Sequence, residues 1–151
     1  MTTKPTTNRE IRYQGAIVRD HHLLLIRQHE YATGRSYWLF PGGGREAGET
    51  EEDCVRREMH EETNLVVTVE RLLFEHTENL GVYRLRRTFL CAIVAGIAAP
   101  GYEPEEGIAD QYSIVEVGWF DLRDAQSWGE LVRSDAITYP QMLQVQRRLG
   151  Y

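Results

Sequence analysis

The sequence predicts an α+β fold in which one mixed β-sheet is covered by helices. Three observations carry this expectation. Short runs rich in aliphatic and aromatic residues come in pairs separated by turns. Two helical stretches, one beginning at Thr50 and one over residues 136–149, are interspersed with them. The composition, 42% hydrophobic and 26% charged, is that of a globular domain, and 151 residues suffice for one sizeable core.

Taken in order, residues 1–8 are Thr-rich and polar, have nothing to bury and are expected to fray, which leaves a single domain over 9–151. Residues 12–19 and 23–28 read as strands joined by a turn at Asp20-His21-His22. A His-His pair can suggest a metal, but at a hairpin turn without further ligands it reads as solvated surface. Residues 37–40 form a short strand, with Trp38 expected in the core rather than stacked on a base. It runs into Pro41-Gly42-Gly43-Gly44, a glycine loop whose backbone can approach a ligand and adopt positive φ.

Past the central helix, 66–75 and 82–94 read as strands around a turn at 76–81. The second carries Arg84, Arg86 and Arg87, and the period of two puts Arg84 and Arg86 on one face. There they meet either phosphates or solvent. Residues 95–113 are a Gly/Pro-punctuated loop carrying Glu103, Glu105 and Glu106, long enough to be functional. Residues 114–122 form a last strand with Trp119 in the core, 121–134 are irregular, and the final helix presents Met142, Val145 and Leu149 as an apolar stripe. Cys54 and Cys91 read as two reduced packing residues rather than a bridge.

The totals exclude some partners. A net charge of −6 without a basic stripe argues against a long nucleic-acid duplex. No apolar run approaches a membrane span and no signal-peptide core is present, so the expected location is the cytoplasm.

The chemistry concentrates in residues 42–65. Thr50 with Asp53 three residues later resembles a capping box and starts a helix. Val55 and Met59 make an apolar stripe, and beside it Glu58, Glu61 and Glu62 fall at i, i+3 and i+4 on one flank. Three like charges at that spacing repel, and burial worsens the cost. A divalent cation removes both problems, because hard cations take several carboxylate oxygens. The residues by themselves describe a metal-binding helix.

The same stretch resembles the signature of the Nudix hydrolases, G-x5-E-x7-R-E-U-x-E-E-x-G-U with U aliphatic. Gly43, Glu49, Arg57, Glu58, Met59, Glu61, Glu62 and Leu65 occupy their places. Asn64 stands at the second glycine and is expected to end the helix in the αL conformation, which Asn tolerates next best after Gly. The resemblance implies an α/β/α sandwich and Mg²⁺-dependent hydrolysis of a diphosphate bond in a nucleoside diphosphate linked to another moiety. Mn²⁺ is a possible substitute. It places Glu58 and Glu62 as metal ligands and Glu61 as a further ligand or the base. Arg57 is the residue that orients the carboxylates, and Gly43, through its carbonyl, sits with Glu49 at the edge of the cluster. One of Glu103, Glu105 and Glu106 would be a distal acid.

Arg84, Arg86, Tyr83 and Arg27 are the candidate contacts to a nucleotide-type substrate. In the family a tyrosine some way past the box loosely marks dinucleoside polyphosphates and a proline marks ADP-ribose. Tyr83 follows Leu65 by eighteen residues, and no proline intervenes before Pro100. Relatives are often homodimers. A nucleotide sensor that binds without cutting is the alternative function, and an acidic surface helix without metal is the bland one. The intact set of box glutamates favours the enzyme.

Overall fold

The computed structural model describes residues 8–77, 83–102 and 111–151. Its frame is a seven-stranded mixed sheet. The strands are β1 (Asn8–Arg19), β2 (His22–Glu30), β3 (Ser36–Leu39), β4 (Gly42–Arg45), β5 (Val66–Thr77), β6 (Leu85–Ala95) and β7 (Tyr112–Asp121). β1 is the hub. It runs parallel to β6, from Ile11 opposite Leu85 to Ile17 opposite Cys91, and antiparallel to β4 on its other edge. At its end it turns into β2 through Asp20 and His21, both at positive φ, the backbone that a two-residue hairpin loop demands. β2 is flanked by antiparallel β3 and β7, and β5 pairs antiparallel with β6.

The pleat sends successive side chains to opposite faces, and both faces are covered. Helix α1 (Glu51–Thr63) lies over one, where Val55, Met59 and Leu65 pack with Tyr13, Ile17, Leu24 and Phe89. Helix α3 (Thr138–Leu149) lies over the other, with the single turn α2 (Glu130–Arg133) beside it. There Met142 and Val145 pack with Leu23, Leu25, Phe40, Phe74 and Trp128, and Leu149 adjoins that core. Each fully buried Leu, Ile or Met contributes about 1.5–3 kcal/mol. The result is the three-layer α/β/α sandwich. Gly15 of β1 lets α1 approach so closely, because a Cβ there would strike the sulfur of Met59. Cys54 and Cys91 are free and buried in the α1-side core. Among the described residues no helix is long and apolar enough to cross a membrane.

β1 reaches back to Asn8 from the expected start at residue 12 and β7 to Tyr112 from 114, and four further differences stand out. The glycine run is not a loop: Gly42 and Gly43 form β4, opposite Gln14 and Tyr13, and the backbone of Gln14 lies where a Cβ on Gly42 would go. β6 begins at Leu85 rather than residue 82, leaving Tyr83 and Arg84 ahead of the strand, while cross-strand pairing carries β5 on to Thr77. The stretch 121–134 is ordered into a 3₁₀ turn (Ala125–Trp128) and α2. The last helix starts at Thr138 because Asp135 Oδ1 accepts the amides of Ile137 (2.9 Å) and Thr138 (2.8 Å), which is the work of a cap. The fraying expected of residues 1–8 concerns, but for Asn8, residues outside the described set. The expected 76–81 turn falls largely outside it too.

Candidate active site

Helix α1 forms as the local sequence demands. Thr50 Oγ1 accepts the amide of Asp53 at 3.1 Å, while the Asp53 carboxylate takes Arg56 at 2.6 Å instead of reaching back. The helix ends at Asn64, φ 63° and ψ 14°, whose amide donates to His60 O at 3.0 Å. With Val55 and Met59 turned to the sheet, the flank carrying Glu58 and Glu62 faces β4, and both are only 1% exposed.

Arg57 organises that flank. Its Nε and Nη2 donate to the two oxygens of Glu49 at 2.7 and 3.0 Å, a bidentate fork. Its Nη1 donates to Glu58 Oε1 at 3.0 Å and to Glu61 Oε2 at 3.1 Å, and Nη2 also reaches Gly44 O at 3.2 Å. One guanidinium thus joins the loop before α1, the helix and β4. Burial pushes the Glu49 carboxyl up, but hydrogen bonds from Arg57 and from the Glu46 amide outweigh it and hold its pKa below the usual range. Burial opposes the charge on Arg57, and its hydrogen bonds to Glu49 with the charges of Glu58, Glu49 and Glu61 raise its pKa nonetheless. Cys54, at the foot of the same network, is pushed up first by burial and then by the charges of Glu58 and Glu49, so its thiol stays protonated.

The glycine strand holds the second acid. Gly42 N–H donates to Glu62 Oε1 at 2.7 Å. A Cβ on Gly43 would collide with the Glu58 carboxylate, so only glycine lets β4 pass that close. Among the described residues, no three His, Cys, Asp or Glu side chains converge into a ready-made metal cage. The carboxylates turn instead toward Arg57 and the Gly42 amide. That arrangement suits Mg²⁺, which keeps several waters and is held through one or two carboxylates plus substrate phosphates. Glu58 and Glu62 lie one helical turn apart on a buried flank and offer hard oxygen donors, as does the nearby Gly43 carbonyl. These residues fit a magnesium or manganese ion and not a thiol-seeking metal.

The other candidates separate. Arg86 of β6 is 9% exposed, and its guanidinium carbon lies 5.8 Å from the Tyr83 ring centroid. Arg84 is exposed and pairs with Glu10 at 3.7 Å. Arg27 is half-exposed and pairs with Glu116 at 3.4 Å on the face that α3 covers. Trp38 packs at the edge of the α3-side core, edge-on to Phe120, as expected of a core residue. Trp119 is half-buried against the other core with Arg19 over its ring. His21 meets Tyr151 Oη at 2.8 Å. Glu103, Glu105 and Glu106 lie outside the described residues, but the chain leading to them is fixed. Ala99, Gly101 and Tyr102 donate their amides to the carbonyls of Thr63, Glu62 and Glu61 at 3.0, 2.9 and 3.1 Å, satisfying the orphan end of α1. An open concavity of about 860 Å³ lies on the Glu49 side, lined by residues 45–52.

Sequence reasoning missed Arg12, 8% exposed, which sits opposite Arg86 and donates to Phe40 O at 2.9 Å. It also missed a buried polar group beside it: Gln14 Nε2 donates to Thr88 Oγ1 at 2.8 Å and to Gln141 Oε1. Only the parallel register of β1 and β6 reveals these neighbours, since Arg12 and Arg86 stand 74 positions apart in the chain.

Comparison with known proteins agrees with this geometry. The NUDIX domain model matches residues 11–142. The oxidized purine nucleoside triphosphate hydrolase of Danio rerio is 30% identical over 136 residues, covering 85% of this chain and 76% of that protein. Nudix hydrolase 1 of Caenorhabditis elegans is 35% identical over 98 residues, 65% of this chain, which spans only 26% of that longer protein. Among solved structures, the MutT NUDIX hydrolase from Burkholderia pseudomallei superposes with a TM-score of 0.62 at 27% identity, covering 90% of this chain and 97% of that one. A NUDIX hydrolase from Nitrosomonas europaea shares the fold with a TM-score of 0.68 at 21% identity, covering 95% and 90%. A family match that takes in both the sheet and the glutamate helix makes this chain a member of the Nudix hydrolases, which cleave pyrophosphate bonds in nucleoside diphosphates linked to other moieties and generally use a divalent metal.

Proposed function

We propose that this chain hydrolyses a diphosphate bond of a nucleotide-type substrate with Mg²⁺ held by Glu58 and Glu62. The observation that carries the reading is the pairing of these two carboxylates, 1% exposed on one helical turn, with a glycine strand that leaves room for them. When bound, the cation neutralises phosphate charge and lowers the pKa of a coordinated water. Glu61, its side chain 17% exposed against 1% for Glu58, takes the proton of the attacking water. Arg57 is a positioning residue: anchored on Glu49, it sets the direction of Glu58 and Glu61. The water oxygen bonds to one phosphorus in line, and the bridging oxygen departs with the other phosphate.

The test is a panel of nucleoside triphosphates, nucleotide sugars and dinucleoside polyphosphates incubated with Mg²⁺, with Mn²⁺, or with a chelator. Turnover of at least one compound that stops in chelator is the expected result. Binding without cleavage of any compound would make the chain a nucleotide sensor and overturn the reading.

A further inference from the structure

The last turn of α1 carries Glu61 and Glu62, and its main chain is held from outside the helix. The final four carbonyls of a helix have no partner within it. Here His60 O takes the amide of the capping Asn64. The other three are met by a strap, residues 96–102, that leaves the end of β6 and crosses the helix terminus. Ala99 N–H donates to Thr63 O at 3.0 Å, Gly101 N–H to Glu62 O at 2.9 Å and Tyr102 N–H to Glu61 O at 3.1 Å. Pro100, which has no amide to satisfy, stands among these donors and fixes its own φ. The strap is tied at its other end as well. Gly96 turns it at φ 98°, Asn64 Nδ2 donates to Ile97 O at 3.1 Å, and Ala98 packs against the α1-side core.

Within the strap, Gly101 comes closest to the helix. A Cβ there would run into the carbonyl oxygen of Glu61 and lie 2.9 Å from the carbonyl carbon of Glu62. Those are main-chain atoms of a helix, which cannot swing aside as the end of a side chain can. Each glutamate is thereby held at two points. Gly42 N–H donates to the Glu62 carboxylate and Gly101 N–H to its carbonyl. Arg57 Nη1 donates to the Glu61 carboxylate and Tyr102 N–H to its carbonyl. Groups that orient metal ligands from behind typically govern affinity or activity by about 10–100-fold. We propose that Gly101 is a positioning residue for the metal-binding turn. Its lack of a side chain lets the strap pin the main chain of Glu61 and Glu62, and so sets where their carboxylates stand toward the cation. This rests on the reading of the α1 glutamates as metal ligands and extends the site beyond residues 42–65.

Two measurements test it. Without nucleotide, calorimetric titration with Mn²⁺ should give a Kd about tenfold or more higher for Gly101→Ala than for the unaltered protein. With Mg²⁺, kcat of that variant should fall by about tenfold or more while KM for the same nucleotide stays within about threefold. Val132→Ala, in the core on the other face, is the control for lost stability. It should lower the melting temperature and leave the Mn²⁺ Kd within about twofold of the parent. Where Gly101→Ala fails to fold, Tyr102→Pro replaces it, because proline deletes the amide given to Glu61 O and the lost ring is 63% exposed. A rise of about threefold or more in Mn²⁺ Kd is expected there, whereas Tyr102→Ala, which keeps the amide, should stay within about twofold. An unchanged Mn²⁺ Kd in the folded variants, or a rise as large in Val132→Ala or Tyr102→Ala, overturns the positioning role. No Mn²⁺ heat with the unaltered protein overturns both this role and the metal assignment. Absence of turnover with Mn²⁺ binding intact sinks the hydrolase reading alone, since the titrations still decide the role of Gly101.

Discussion

Two arginine-centred regions lie on opposite sides of the sheet and are built in opposite ways. On the α1 side a single guanidinium, Arg57, gathers Glu49, Glu58 and Glu61 around it, with Glu62 one turn on. On the α3 side two guanidinium groups, Arg12 and Arg86, flank a single phenol ring. The first has an excess of acid and suits a cation. The second sets its two guanidinium groups against one aromatic ring, a backbone carbonyl and the Gln14 amide oxygen. The first is also local, contained within residues 42–65, whereas the second is assembled by strand register from distant stretches. Because the two have different origins, they should fail differently when broken.

The largest effect is expected at Glu62. Glu62→Gln removes the charge proposed above to hold the metal but keeps an oxygen that can accept the Gly42 amide. Turnover should fall by several orders of magnitude, on the order of 10³-fold or more, with a melting temperature in chelator within a few degrees of the parent. Near-normal activity at saturating Mg²⁺ would contradict the assignment.

Arg57→Ala comes next, since it leaves clustered carboxylates without their shared donor. A stability loss of about 2–4 kcal/mol by urea titration is expected from breaking a largely buried pair. A fall in kcat should accompany it, and Mg²⁺ should restore part of the lost stability by replacing the missing positive charge. A variant as stable as the parent would mean that Arg57 does not hold the flank.

Gly43→Ala puts a methyl into the Glu58 carboxylate and should cost about 1–3 kcal/mol. It should also weaken the Mg²⁺-induced rise in melting temperature. An unchanged rise would show that the close approach of β4 to Glu58 does not matter to the metal.

The smallest expected effect is one of pH. The folded pKa of Glu49 is depressed, so its contribution to stability is complete above its unfolded value near 4.5 and is lost as the pH falls through the lower folded value. Melting curves from pH 6 to 3 should therefore fall less steeply for Glu49→Gln than for the parent. Parallel curves would remove Glu49 from the network.

How much of this could be read from residues alone follows the same division. Thr50, Val55, Met59 and Asn64 carry their structural roles within a few positions, through capping, helical period and tolerance of αL. The helix appeared with the start and stop they imply. Residues 42–44 read as a loop because glycine lowers strand propensity. Their place in β4 depends on how closely Gln14 and Glu58 approach, which no local rule reports. Likewise Arg84 and Arg86 share a period-two face on paper, yet Arg84 precedes the strand and meets Glu10 in solvent.

The sequence by itself determined the glutamate helix, the alternation of strands and helices, and through them the family, since each of these is written in short-range spacing. The tertiary structure alone decided that Arg12 stands beside Arg86, that Gln14 bridges to Gln141, and that positions 42 and 43 of β4 must be glycine. Those facts come from close packing between segments distant in the chain, where a neighbour is chosen by register and contact distance rather than by its place in the sequence.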